Sequence, residues 1–134
     1  MTLLDDMIKY LTNRGIIEGA GIDAFIDFKP EMPDNIVSLH EYKGEPVVLN
    51  AGAVHRSVQI VVRNKKAAEA KKLAISIFNA LMPDTEDGRV DFTDTRWGQV
   101  HLRQTPYKFS QDESDRVHYG FNLGITTELK KEEN

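Results

Sequence analysis

Ser57-Val58-Gln59-Ile60-Val61-Val62-Arg63-Asn64 runs directly into Lys65-Lys66-Ala67-Ala68-Glu69-Ala70-Lys71-Lys72-Leu73-Ala74-Ile75-Ser76-Ile77-Phe78-Asn79-Ala80-Leu81-Met82. The first eight residues are rich in β-branched side chains and alternate, which predicts a strand. Asn64 stands where a helix N-cap is expected. Residues 65–82 contain neither Gly nor Pro, and Ala67, Ala70, Ala74, Ile77, Phe78 and Leu81 recur at helical spacing on one side. Pro83 follows the last apolar residue, a common place for a helix to stop. A strand passing through a single cap into an Ala-faced helix is a frame, with no chemistry of its own.

Upstream, Leu4, Met7, Ile8 and Leu11 share one face of a helix predicted over residues 3–14. Thr2 with Asp5 approximates a capping box, and Gly15 supplies the stop. Strands are expected at 24–28 and 36–42, separated by a loop that carries Pro30 and Pro33. Residues 45–56 are the least regular stretch and read as a hairpin arm or mobile loop. Downstream, 84–89 is an acidic turn, 90–93 a short strand, and 97–105 a longer one. Pro106 breaks the alternation, so Tyr107 and Phe109 fall on the opposite parity, predicting a bulge or an edge. Residues 116–127 form the clearest strand: Val117, Tyr119, Phe121, Leu123 and Ile125 alternate with His118, Gly120, Asn122, Gly124 and Thr126. The charged stretch 130–134 is expected to fray. Strands follow one another without intervening helices. This predicts an α+β fold, with a mainly antiparallel sheet and two helices, about 3–14 and 65–82, packed on one face.

The 134 residues suit one domain over 1–134, and 40% hydrophobic with 28% charged residues permits an ordinary core. A net charge of -4 and a pI near 5.5 argue against free-standing nucleic-acid binding and against docking on an anionic membrane. The absence of cysteine excludes disulfides, thiolate metal sites and cysteine nucleophiles. No signal-like N-terminus and no run of bilayer length is present, so a reduced, cytoplasmic setting is the simplest expectation.

The sequence carries no catalytic constellation, and no metal site or cofactor is expected. His40, His55, His101 and His118 lack metal-motif spacing. His40, His101 and His118 alternate with apolar residues and read as a solvated sheet face, whereas His55 ends the irregular arm. Asp84 to Gly88 fails as a calcium loop, because aligning Gly88 with the loop glycine puts Pro83 and Thr85 at ligand positions. Gly19-Ala20-Gly21 is too sparse for a phosphate loop. Asp91 and Asp94 are two acids in a loop. Lys65, Lys66, Lys71 and Lys72 read as solvated helix surface rather than a phosphate site. Gly120 and Gly124, on the non-core side of a good strand, mark either a bulge or close approach by a neighbouring subunit. The 45–56 arm, weakly self-packed, is a second candidate docking element.

Three stretches together resemble the tail terminator (tail-to-head joining, or minor capsid) proteins of long-tailed bacteriophages. They are Pro33-Asp34-Asn35-Ile36-Val37-Ser38-Leu39 leading to Tyr42-Lys43-Gly44, then Val58 to Arg63 with the Ala-rich helix, and His118 to Ile125. The resemblance spans about Leu4 to Glu128 and carries no catalytic residues. It implies an α+β fold and a homo-oligomeric ring, hexameric in the family, at the head-proximal end of the tail tube. The ring would stop tube growth, contacting the major tail tube protein on one side and a head completion or connector protein on the other. DNA would only pass through its lumen, which acidic walls would keep from sticking. The setting implied is the virion neck, assembled in the host cytoplasm, with no membrane partner. The alternatives are a head completion or connector-stopper protein of the same region, and a small-molecule-binding or enzymatic α+β domain. The latter would need His40, His101 or His118 to meet Asp91 or Asp94 in space.

Overall fold

A computed structural model describes residues 2–42 and 52–128. Among the described residues the chain forms α1 (Leu3–Asn13), β1 (Ala24–Ile26), β2 (Ile36–Tyr42), β3 (Ala53–Asn64), α2 (Ala67–Leu81), β4 (Arg89–Thr93), β5 (Arg96–Leu102), β6 (Tyr107–Gln111) and β7 (Val117–Glu128). The strands build one sheet in the order β1-β2-β3-β7-β5-β4, with β6 also paired to β7. Every pairing is antiparallel except β1 with β2. The α+β class and the mainly antiparallel sheet are therefore as the sequence pattern predicts.

The spine is the β3–β7 pair, in register from Ala53 opposite Glu128 to Asn64 opposite Val117. This corrects part of the arm expected over 45–56. Residues 53–56 are ladder-paired strand, because β7 is long enough to give each of them a partner; residues 45–51 lie outside the described residues. So does the 130–134 tail. The far edge of β7 is shared, with β5 pairing its C-terminal half and β6 its N-terminal half. The break between them is where Pro106 predicted one. There Arg103 N donates to Asn122 O at 3.1 Å, and Gln104 Oε1 accepts from Asn122 N at 2.8 Å. A side chain thus completes the ladder that Pro106 cannot continue. Phe109 is the extra residue where the β6–β7 register shifts.

One hydrophobic cluster joins Leu3, Met7 and Leu11 of α1 and Ala70, Ala74, Ile77 and Leu81 of α2 to Val37, Leu39, Val58, Ile60, Val62, Phe121, Leu123 and Ile125 of the sheet. The period-2 and period-3.6 patterns read from the sequence meet in it. Phe78 stacks edge-on against Phe121 at 5.3 Å between centroids. Ala67, expected on the buried side of α2, is exposed, since it sits in the first turn beyond the edge of the core. The capping box of α1 forms as predicted: Asp5 N donates to Thr2 Oγ1, and Asp5 Oδ2 accepts from Thr2 N. Its C-terminus closes with Gly15 N on Thr12 O and Ile16 N on Leu11 O, the Schellman pattern, with Gly15 at a φ of 73°.

The start of α2 differs from expectation. Lys66, not Asn64, occupies the N-cap position, with no side-chain cap. Asn64 remains in the ladder opposite Val117, and its Oδ1 accepts from Lys66 N at 2.9 Å. The cap-like residue therefore turns the chain two residues before the helix begins, an Asx turn rather than a cap. β1 is also shorter than expected, ending at Ile26. Asp27 takes a left-handed φ of 59° while its amide donates to Leu39 O, which bends the chain out of the ladder.

Buried charge ties α1 to the sheet. Arg96 Nε donates to Asp6 Oδ2 at 3.0 Å, and both residues are buried. An ion pair removed from water is costly to form and more costly to break on one side. It fixes where α1 sits along β5.

Candidate functional site

The densest polar cluster lies where residues 29–35 cross the ends of β3 and β7. Position along these strands decides its composition: Ser57, Gln59, Val61 and Arg63 of β3 alternate with the core residues, as do His118, Gly120, Asn122 and Gly124 of β7. Arg63, opposite His118, is only 3% exposed and reaches four backbone carbonyls, the longest contact being to Glu31 O at 3.5 Å. Its Nη2 donates to Pro30 O at 2.7 Å and Pro33 O at 2.6 Å, and its Nε to Asp34 O at 3.0 Å. Arg116, 4% exposed, donates from Nη1 to Glu31 O at 2.6 Å and from Nε to Asp112 Oδ2 at 2.9 Å. Two arginines thus hold four carbonyls of one short segment, which includes the cis Met32–Pro33 bond. The planar guanidinium, with donors at fixed angles, suits this task where an ammonium does not.

His118 completes the cluster. Its Nε2 lies 3.1 Å from Asp112 Oδ2 and its Nδ1 3.4 Å from Lys29 Nζ. An ammonium can only donate and an ionised carboxylate only accept, so the fitting state is the neutral imidazole with its proton on Nε2. Burial pushes the His118 pKa down, and Lys29 beside it acts in the same direction against the Asp112 hydrogen bond. Burial also lowers Lys29, with Arg63 adding to the effect. Asp112 is held below the usual carboxylate range. The partial burial that would raise it is outweighed by hydrogen bonds from His118, from the Arg116 and Ser114 amides and from the Arg116 guanidinium.

The solvated face expected for the histidines is only partly found. His101 is exposed, His40 is half-buried with Nε2 2.9 Å from Ser38 Oγ, and His118 is 8% exposed. The correction has a simple cause: the 29–35 segment folds over that end of the sheet and removes His118 from water. His55 Nδ1 lies 3.1 Å from Thr126 Oγ1, in a second polar group where Arg103 donates to Tyr42 Oη at 2.8 Å and Ser57 Oγ at 3.2 Å.

The glycines are corrected as well. A Cβ on Gly120 would fall far inside contact distance of the Ile60 carbonyl and 3.1 Å from the Phe109 ring; one on Gly124 would lie 2.8 Å from the His55 ring. Their small size admits neighbours from the same chain, so they give no reason to invoke another subunit.

The remaining candidates are structural. Asp91 pairs with Arg89 at 3.0 Å, whereas His118 meets Asp112 and His40 meets Ser38, so the histidine–Asp91/Asp94 constellation does not assemble. The Gly19–Gly21 loop is satisfied internally: Asp23 accepts from the Glu18 and Gly19 amides. Lys65 lies 3.6 Å from Asp34, and Lys66, Lys71 and Lys72 are exposed. Among the described residues no group of three or more His, Asp or Glu side chains is placed to hold a metal. No helix among them is long and apolar enough to cross a membrane.

Reading the sequence alone missed Arg63, Arg116, Lys29, Glu31 and Asp112. A signal existed for the arginines. Each stands at the end of one of the two longest strands, next to strongly apolar positions, where an exposed strand end needs no guanidinium.

The fold and this cluster define a small α+β scaffold whose buried charges hold backbone in place. The chain belongs to the bacteriophage tail terminator protein family, whose pattern matches residues 10–129. That family is one of virion structural proteins and is not known for enzymatic activity. No curated protein sequence matches the chain significantly. Among solved structures, it superposes on a chain from the virion of a native gene transfer agent (GTA) particle with a TM-score of 0.57. The identity is 12%, and the match covers 96% of this chain and 100% of the other. At that identity the likeness is one of fold.

Proposed function

We propose that the whole chain, 1–134, acts as one domain that closes the head-proximal end of a phage tail tube as a ring of copies, hexameric as in the resemblance above. The ring stops tube polymerisation and joins the tail to the head connector. The observation that carries this reading is the family match over residues 10–129. The described structure is compatible with it: both helices share one hydrophobic cluster with the sheet, and buried charged groups hold loop backbone in place. In this reading the partners are other copies of the chain, the major tail tube protein and a connector protein. The setting is the virion neck, reached after assembly in the host cytoplasm. No substrate is turned over, and the acidic charge of the copies lets DNA pass through the lumen without adhering.

Purified tail tubes incubated with the protein and imaged by negative stain test the proposal. Tubes should stop elongating and carry an extra ring at one end. Uncapped tubes that keep growing would refute it, and a ring found only on isolated head connectors would assign the chain to the connector side instead.

A further inference from the structure

We propose that neighbouring copies of this chain meet head to tail, the Phe28–Met32 ridge of one copy seating on the outer face of α2 of the next. The inference rests on the self-association proposed above and names the surfaces that carry it.

The 25–34 segment is built inside out. Its backbone carbonyls at Pro30, Glu31, Pro33 and Asp34 are held from below by Arg63 and Arg116. Its apolar side chains face water: Phe28 is 55% and Met32 66% exposed, with Phe25 packed edge-on against Phe28 at 5.6 Å. A flexible loop with two large apolar side chains would turn them inward. Fixing the backbone by two buried guanidiniums keeps them displayed, so little ordering entropy remains to be lost on docking. Clustered apolar side chains held out in this way mark an interaction surface.

The occupant follows from what else the chain exposes. The ridge and its flanks carry Asp23, Asp27 and Glu31 against one lysine, Lys29, whereas Asp34 pairs within the chain with Lys65 and Arg116, each at 3.6 Å. The outer face of α2 is the reverse: Lys71 and Lys72 against one acid, Glu69. Ile75, one turn beyond Lys71 and Lys72 on the same face, is 39% exposed. One surface is apolar and acidic, the other apolar and basic, and both recur on every copy. Complementary charge of this kind steers encounter and fixes orientation. Because the two surfaces differ, the contact is heterologous, the type that closes into a ring when the rotation allows.

Cysteine cross-linking tests this, since the chain has no native thiol. Met32→Cys and Ile75→Cys in one chain, oxidised mildly, should give a series of dimers, trimers and larger species. Each single variant should give none beyond dimers. Both positions are exposed, and circular dichroism checks that the variants fold. Adding Lys71→Glu and Lys72→Glu should abolish the series. Efficient dimers from Met32→Cys alone would show like-to-like contact and overturn the proposal. Wild-type oligomers in sedimentation, together with a double-cysteine variant that forms no cross-linked series, would overturn this pairing while leaving ring formation standing. A wild type that stays monomeric at every concentration also overturns the pairing. Tube capping, read separately by imaging, then decides the broader proposal.

Discussion

Arg63→Met removes the charge that holds the 29–35 segment while keeping most of the side-chain volume. Three hydrogen bonds of 2.6 to 3.0 Å go with it. Hydrogen bonds from charged donors contribute about 1.5–3 kcal/mol each. The full sum overstates the loss for two reasons. The freed carbonyls lie under a single surface segment and regain water. Arg63 is also held charged at a cost, since burial and then the neighbouring Arg116 push its pKa down. We expect a net loss of about 3 kcal/mol, which for a domain of this size lowers Tm by about 10 °C. Arg63→Lys should recover less than half of that, because an ammonium cannot span three carbonyls from one fixed plane. Urea denaturation measures the stability. A Glu-specific protease measures the segment itself, through cleavage of the Glu31–Met32 bond, which should accelerate well beyond what global unfolding explains. A loss under about 1 kcal/mol with unchanged cleavage would refute the reasoning, since it would mean the carbonyls need no such partner.

The two strand glycines should separate in severity. Gly120→Ala sets a methyl against the Ile60 carbonyl in the ladder, where nothing can yield, and should cost more than about 3 kcal/mol in urea unfolding; Gly124→Ala meets the movable His55 and Arg103 side chains and should cost about 1 kcal/mol or less. Similar losses at both sites would contradict this account. Stability should also fall with acid. His118 has a folded pKa below its ordinary 6.5, so the unfolded chain takes up that proton first. Its contribution is complete above about pH 6.5 and is lost as pH drops through the lower folded value. Asp112, likewise depressed below 3.8, adds a second loss at more acidic pH. The urea midpoint should therefore decline from pH 8 toward pH 4.5, and His118→Gln should flatten the upper part of that decline; a midpoint that rises on acidification would exclude the scheme.

Side-chain periodicity settles much of the architecture. Val117 to Ile125 alternate strictly, and Val58, Ile60 and Val62 keep the same two-residue period, which selects the core face. Ala70, Ala74, Ile77 and Leu81 did the same for α2, and Thr2, Asp5 and Gly15 bounded α1, because caps act over three or four residues and need no distant partner. The family resemblance was legible for the same reason, being a resemblance of packing patterns in order along the chain. What periodicity could not reach was anything that joins residues far apart in sequence. Arg63 finds Pro30 and Pro33, Arg116 finds Glu31, and Arg96 finds Asp6 only once the strands are laid side by side. His118 looked solvated because its strand neighbours alternate; the 29–35 segment that buries it arrives from the other end of the chain. Gly120 and Gly124 read from the sequence as either a bulge or a close approach by a neighbouring subunit, whereas Phe109 and His55 of the same chain fill the space. Local sequence thus determined which elements form and which face each buries, since those depend on period and caps. Tertiary structure alone decided which charges are buried and which loop is locked, since a guanidinium's value depends on the carbonyls and carboxylates folding brings within 3 Å of it.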